Sequence, residues 1–331
     1  MAFFDLPKEE LERYTPQRNE PSDFDEFWER TFAEHGSGPL DFECVPVETH
    51  LKVLEAFDVS WNGFDGTRVH GWLVLPRGVE GQLPAVVQYT GYSCGRGMPF
   101  DNIAYAVGGY AHFIIDARGQ GWRTPSPIEG THDVAIHTSG SVPGLMTMGV
   151  LDPDLYYYRR LFVDVVRLLE GVADHERVDP DRVVVTGGSQ GGAMTLAAAA
   201  LAKHRGIEIA GCAPDVPFLC HFPRAIGLTD AYPYKEVADY LATYPQREAQ
   251  VRETLSYFDG VSMAARITVP GIFSVGLMDE ITPPSTVYAA YNHYAGPKSI
   301  EVYPFNGHEG GQSYQVERIH RWMAELHDTA K

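Results

Sequence analysis

Ser189 lies in the run Val183-Val-Val-Thr-Gly-Gly-Ser-Gln-Gly-Gly192, with a β-rich stretch before it and an alanine-rich helical stretch after it. Glycines on both sides let the backbone turn sharply, which would leave the hydroxyl exposed at a helix amino terminus. That helix end offers N–H groups and a positive dipole to a developing oxyanion. A serine hydroxyl is a poor nucleophile at neutral pH, so the chemistry needs a base and an acid to orient it. Ile272-Phe-Ser-Val-Gly-Leu-Met-Asp279 puts Asp279 just past a strand, and Ile300-Glu-Val-Tyr-Pro-Phe-Asn-Gly-His308 does the same for His308. Taken singly, an aspartate before Pro283-Pro284 caps a helix and a histidine after Asn306-Gly307 decorates a loop. The order nucleophile, acid, base, each at the carboxyl end of a strand, gives the three a joint reading in acyl transfer. Glu280 is the competing acid next door, set aside because its side chain should leave the loop in another direction.

The tetrahedral oxyanion of such a reaction needs two donors. One is expected from the N–H of Gln190, the residue after the nucleophile. The other is expected from Tyr92 in the glycine-rich loop Thr90-Gly-Tyr-Ser-Cys-Gly-Arg-Gly97, which follows the β-run at Ala85 to Tyr89. Cys94 in this loop reads as a small buried hydrophobe, or as a side chain that narrows the site.

The elements that must carry these loops alternate. Short β-rich runs at Ala85 to Tyr89, Phe113 to Asp116, Val183 to Thr186, Ile207 to Ala210, Ile272 to Val275 and Ile300 to Tyr303 are separated by helical patterns at Tyr156 to Val172, Ala193 to His204, Ser285 to Tyr294 and Tyr314 to Leu326. Such alternation predicts an α/β fold with a doubly wound, mainly parallel sheet covered by helices on both faces. A hairpin is expected to open the sheet, with strands around Asp58 to Asn62 and Arg68 to Leu75. Before it, residues 1–50 read as a helical extension, in which Ser22 and Asp25 resemble a capping box for a helix carrying Phe24, Phe27, Trp28 and Phe32. Two segments interrupt the alternation: 123–155, rich in Pro, Gly and Ser, and 216–265, aromatic and partly helical. These suit an interface insertion and a lid on one domain spanning 1–331.

The 331 residues carry Lys+Arg 26 against Asp+Glu 44, a formal charge of −18, which is opposite to what a nucleic-acid binder requires. No run approaches the length of a membrane span, and the start of the sequence lacks a basic segment followed by an apolar one, so a cytoplasmic protein without a membrane partner is expected. The four cysteines, Cys44, Cys94, Cys212 and Cys220, show no metal-ligand spacing. No metal or other cofactor is expected.

Gly91-Tyr92, Arg118-Gly-Gln-Gly121, Gly187-Gly-Ser-Gln-Gly-Gly192, Gly276-Leu-Met-Asp279 and His308-Glu309 resemble the defining motifs of the acetyl xylan esterase and cephalosporin C deacetylase family, carbohydrate esterase family seven. The resemblance extends through Leu151-Asp-Pro to Tyr158-Arg-Arg160, Asp215 to Phe222 and Thr282 to Thr286. It implies the α/β-hydrolase fold, with Ser189 as nucleophile, His308 as base, Asp279 as orienting acid and the N–H groups of Tyr92 and Gln190 as oxyanion donors. Arg118 and Gln120 would brace the catalytic loops without transferring protons. The implied substrates are acetylated xylo-oligosaccharides, other small acetylated sugars and the acetylated antibiotic, and the implied assembly is a hexamer. Position and resemblance together suggest that Tyr92 and Phe218 wall a pocket sized for acetyl. Another short-chain carboxylesterase or a thioesterase remains the alternative, because a triad does not name a leaving group.

Overall fold

The computed structural model describes residues 3–126, 128, 130–135 and 143–329. Its centre is one nine-stranded sheet of β1 (Glu43–Val47), β2 (Leu54–Asn62), β3 (Arg68–Pro76), β4 (Leu83–Tyr89), β5 (Ala111–Ile115), β6 (Val178–Gly188), β7 (Gly211–Asp215), β8 (Gly271–Gly276) and β9 (Lys298–Tyr303), in the order β1-β2-β3-β5-β4-β6-β7-β8-β9. From β5 through β9 every neighbouring pair is parallel, whereas β1, β2 and β3 form an antiparallel meander joined antiparallel to β5. β4, β5 and β6 run parallel, so the loops after them open on the same end of the sheet, and the strand order reverses at β4. Crevices at such a reversal, beyond the carboxyl ends of the strands, are where doubly wound sheets bind ligands. This is the α/β-hydrolase arrangement.

The helices used below are α1 (Phe24–His35), α2 (Tyr157–Ala173), α3 (Gln190–Leu201), α4 (Tyr234–Thr243), α5 (Glu248–Ser256), α6 (Pro284–His293) and α7 (Ser313–Thr329). α3 is apolar nearly all round and almost wholly buried, as expected of a helix that passes through the core and not along its surface. Its alanines let it approach closely, and beside it the aromatic side chains of Trp28, Phe162, Tyr158 and Phe258 interlock, with Trp28 stacked on Phe162 at 5.8 Å and its indole N–H on the carbonyl of Tyr257. Ile319 and Met323 of α7 cover Val86, Val184, Ala213 and Ile272 on the other face.

Three expectations change. The strand anticipated at Ile207 to Ala210 begins only at Gly211, where the backbone comes into register with β6. Residues 1–50 contain strand β1 as well as helices; its exposed, Pro-containing pattern suits an edge and carries little hydrophobic signal. Ser22 does not cap α1. Asp23 occupies the cap position without a side-chain cap, and its carboxylate instead accepts the Tyr257 hydroxyl proton at 2.8 Å.

Candidate active site

The turn from β6 into α3 places Ser189 at φ 59°, ψ −120°, a left-handed conformation that a non-glycine residue adopts only when its surroundings enforce it. The enforcement is visible on both sides. The Ser189 N–H donates to the carbonyl of Asp215 at 3.0 Å, and its own carbonyl accepts from the N–H of Phe218 at 2.9 Å. A Cβ on Gly191 would stand 2.2 Å from the Tyr89 carbonyl oxygen, and one on Gly187 would stand 2.7 Å from it, so only glycine lets the turn close against β4.

Asp279 follows β8 and is fully buried. Its Oδ1 accepts from the N–H groups of Ile281 and Thr282 at 2.8 and 2.9 Å, while Oδ2 lies 2.7 Å from the Thr282 hydroxyl and 2.9 Å from Nδ1 of His308. Four hydrogen bonds satisfy a buried carboxylate and fix its direction. With Nδ1 engaged by Asp279, Nε2 is the imidazole nitrogen left for a reacting group. His308, partly exposed in the loop after β9, shares a cavity of about 480 Å³ with Ser189; Gly91, Tyr92, Cys94, Trp122 and Glu236 also line it. Among the described residues, no group of three or more His, Cys, Asp or Glu side chains is placed to hold a metal ion.

Gln190 is the first residue of α3, so its N–H has no partner within the helix. Its side chain is buried, with Oε1 accepting from Gln120 Nε2 at 2.9 Å and from the Tyr158 hydroxyl at 3.0 Å. Gln120 also accepts the N–H of Ser93 through Oε1 at 2.7 Å. One amide side chain therefore joins the loop after β4 to the turn after β6, the two segments expected to supply oxyanion donors. Arg118 lies further back, where its guanidinium makes a bidentate pair with Asp164 at 2.5 and 2.6 Å. Burial and the paired carboxylates of Asp164 and Asp133 act on it in opposite senses, and its pKa is raised. Its carbonyl accepts the Tyr157 hydroxyl proton at 2.6 Å, and Tyr157 in turn accepts from Gln120.

Phe218 is not a cavity wall. Its ring is fully buried against Tyr234 at 4.3 Å, and its contribution to the site is the backbone N–H that holds Ser189. The walls come instead from Tyr92, Trp122, Pro143, Tyr232, Pro233, Glu236 and Ile281. Cys94 lines the cavity partly exposed, with the Thr124 hydroxyl 3.7 Å from its sulfur. Of the two inserted segments, 123–155 reaches the cavity through Arg123 and Pro143, but residues 127, 129 and 136–142 lie outside the described residues. Asp215, at the end of β7, is a further carboxylate beside the site. It accepts a short hydrogen bond from the Ser274 hydroxyl, and burial pushes its carboxyl up to about 6, opposed by that bond and by His308. Its position at a strand end beside the nucleophile turn is the signal that could have marked it.

The family model for acetyl xylan esterase (AXE1) matches residues 1–326. The chain is 40% identical to an acetyl xylan esterase from Paenibacillus sp. R4, with a TM-score of 0.88 over 97% of this chain and 99% of that one. It is 34% identical to acetyl xylan esterase 1 from Thermoanaerobacterium sp. JW/SL YS485, with a TM-score of 0.86 over 98% and 99% of the two chains. Acetyl esterase Axe7A of Xylanibacter ruminicola is 27% identical over 298 residues, which span 88% of this chain and 64% of that longer protein.

Proposed function

We propose, from the premise that this chain belongs to the acetyl xylan esterase family, that it removes acetyl groups from small acetylated carbohydrates through a covalent acetyl-serine intermediate. The observation that carries the reading is the opening of the strained Ser189 turn into the same cavity as His308, whose Nδ1 is held by buried Asp279 at 2.9 Å. His308 takes the Ser189 proton as the hydroxyl attacks the acetyl carbonyl, then returns it to the departing sugar alcohol. Asp279 holds the imidazole in the tautomer that leaves Nε2 free to accept. The N–H groups of Gln190 and Tyr92 receive the oxyanion, and Gln120 keeps their two loops in register. Water then repeats the cycle and releases acetate. No step calls for a metal.

The match to the acetyl xylan esterase family supports acetyl as the acyl group, with Tyr92 and Trp122 among the residues that line the site. Cephalosporin C, with an acetyl ester of its own, is a second substrate under this reading. A hexamer is proposed alongside, on the resemblance of the chain to its family; Phe3 and Phe305, 59% and 77% exposed with ring centroids 6.3 Å apart, are apolar side chains that a subunit contact would cover. Light scattering that returns a monomer at every dilution rejects it.

The activity is tested by initial rates on p-nitrophenyl esters from acetate to octanoate, then on acetylated xylo-oligosaccharides, with wild type and Ser189→Ala in the presence of a chelator. Sharp preference for acetate that Ser189→Ala abolishes is expected. A preference for octanoate overturns the substrate reading and leaves a carboxylesterase of another kind.

A further inference from the structure

Facing the triad across the cavity, the Tyr92 hydroxyl donates to Oε1 of Glu236 at 2.8 Å and accepts the N–H of Leu145 at 3.0 Å. The second carboxylate oxygen of Glu236 accepts the N–H of Met146 at 3.1 Å. Glu236 stands in the first turn of α4, where the helix dipole favours a negative charge. Gly144, at φ 96°, turns the chain so that successive amides of Gly144, Leu145 and Met146 face this pair of side chains, a backbone cup suited to an anion. Three segments distant in sequence thus meet at one carboxylate: the loop after β4, the inserted segment 123–155 and the inserted helix α4.

The direction of each bond follows from the environment. Burial and the neighbouring carboxylate push the Tyr92 phenol far above its ordinary pKa, so it remains a donor. Burial raises the Glu236 carboxyl too, while the Tyr92 hydroxyl and the Met146 and Gly144 amides favour its charged form. A half-buried carboxylate is costly unless hydrogen-bonded, and here its partners are the cavity wall itself. Trp122 packs against the Tyr92 ring, edge to face at 5.5 Å. The ring is thereby held at its hydroxyl and on one face, which restrains the backbone of the same residue.

We infer that Glu236 is a positioning residue for the acyl-transfer step: through the Tyr92 hydroxyl it fixes the loop that presents the Tyr92 N–H to the oxyanion. The inference rests on the acetyl-esterase reading above and adds to it a residue outside the triad, on the inserted helix. It makes the two insertions part of the catalytic geometry, since a displacement of about 1 Å at an oriented donor is enough to lower a rate on the order of 100-fold.

The test is a double-mutant cycle on p-nitrophenyl acetate with Tyr92→Phe, Glu236→Ala and the double variant, beside Glu236→Gln and Ser189→Ala. Tyr92→Phe keeps the ring and its packing, so it reports on the hydrogen bond without a cavity. Each single variant is expected to lose about 10- to 100-fold in kcat with KM within about twofold. The double variant is expected to match the worse single variant within about twofold, because both single variants break the shared Tyr92–Glu236 hydrogen bond. Glu236→Gln retains one acceptor oxygen and is expected to recover part of the loss. Losses that multiply in the double variant, a change confined to KM, or a lowered melting temperature with kcat intact would each overturn the proposal. The Ser189→Ala arm separates the two levels: activity surviving there overturns the esterase reading and this inference together. Activity lost there but undiminished in Tyr92→Phe and Glu236→Ala overturns the inference alone.

Discussion

On the sheet side of the cavity, Ser189, Asp279 and His308 each stand a few residues from the carboxyl end of a strand, β6, β8 and β9. On the facing side, Trp122, Pro143, Tyr232 and Glu236 come from loops and inserted segments that, among the described residues, contribute no strand to the sheet. The first set is positioned by regular hydrogen bonding that extends through the whole core. The second is positioned by a few side-chain bonds between segments far apart in sequence, such as Tyr92 to Glu236, 144 residues apart. The proposed triad thus stands at the ends of regular strands, and the wall that faces it stands on segments joined by side-chain bonds.

Breaking the sheet side should cost most. Ser189→Ala is expected to lower kcat on acetate esters by on the order of 10⁴- to 10⁶-fold while the melting temperature stays within about 2 °C, since the strained turn is held by backbone bonds and not by the hydroxyl. Steady-state rates and a thermal scan check both. Asp279→Asn should follow, at about 10³- to 10⁴-fold, because an amide can leave His308 in the wrong tautomer. A loss under tenfold would show that Asp279 does not orient the base. Gln120→Ala probes the seam between the two halves. It removes the bonds to Ser93 and Gln190 together, and kcat is expected to fall about 10- to 100-fold with little change in KM.

What could be read from the sequence divides along the same line. The turn at Ser189, the strand-end positions of Asp279 and His308 and the parallel strands were legible because each depends on a β-rich run and the glycines or helix that follow it, as at Val183 to Gly192. Misreadings arose where the local signal was weak. Ile207 to Ala210 has the β-branched composition of a strand, yet pairing with β6 selects Gly211–Asp215, where a glycine admits the indole of Trp322 against the strand. Phe218 lies close to the site in sequence, but its N–H and not its ring serves Ser189. Glu236 has no motif; its role appears only when the inserted segments fold onto the loop after β4.

The smallest effect concerns Asp215, which sits on the sheet side but carries a charge the fold disfavours. Its carboxyl, near 3.9 in an unfolded chain, is raised to about 6 by burial. The folded protein binds this proton more tightly than the unfolded chain. The resulting stability is complete below about pH 4 and is lost as pH rises through about 6. Asp215→Asn keeps an acceptor for Ser274 without the charge. It should therefore unfold a few degrees above wild type at pH 8, with the gap narrowing as pH falls below 6. Thermal scans that show the variant less stable at pH 8 would contradict this account of the buried carboxylate.

The central claim, that Ser189 carries the acetyl group, is tested most directly by mixing enzyme with p-nitrophenyl acetate, quenching in acid within the first turnover and mapping the peptides by mass spectrometry. The account predicts an acetyl group on the peptide containing Ser189, absent from Ser189→Ala and decaying as acetate is released. An unmodified Ser189 peptide during active turnover, or an acetyl group on another residue that forms and decays at the catalytic rate, would contradict it.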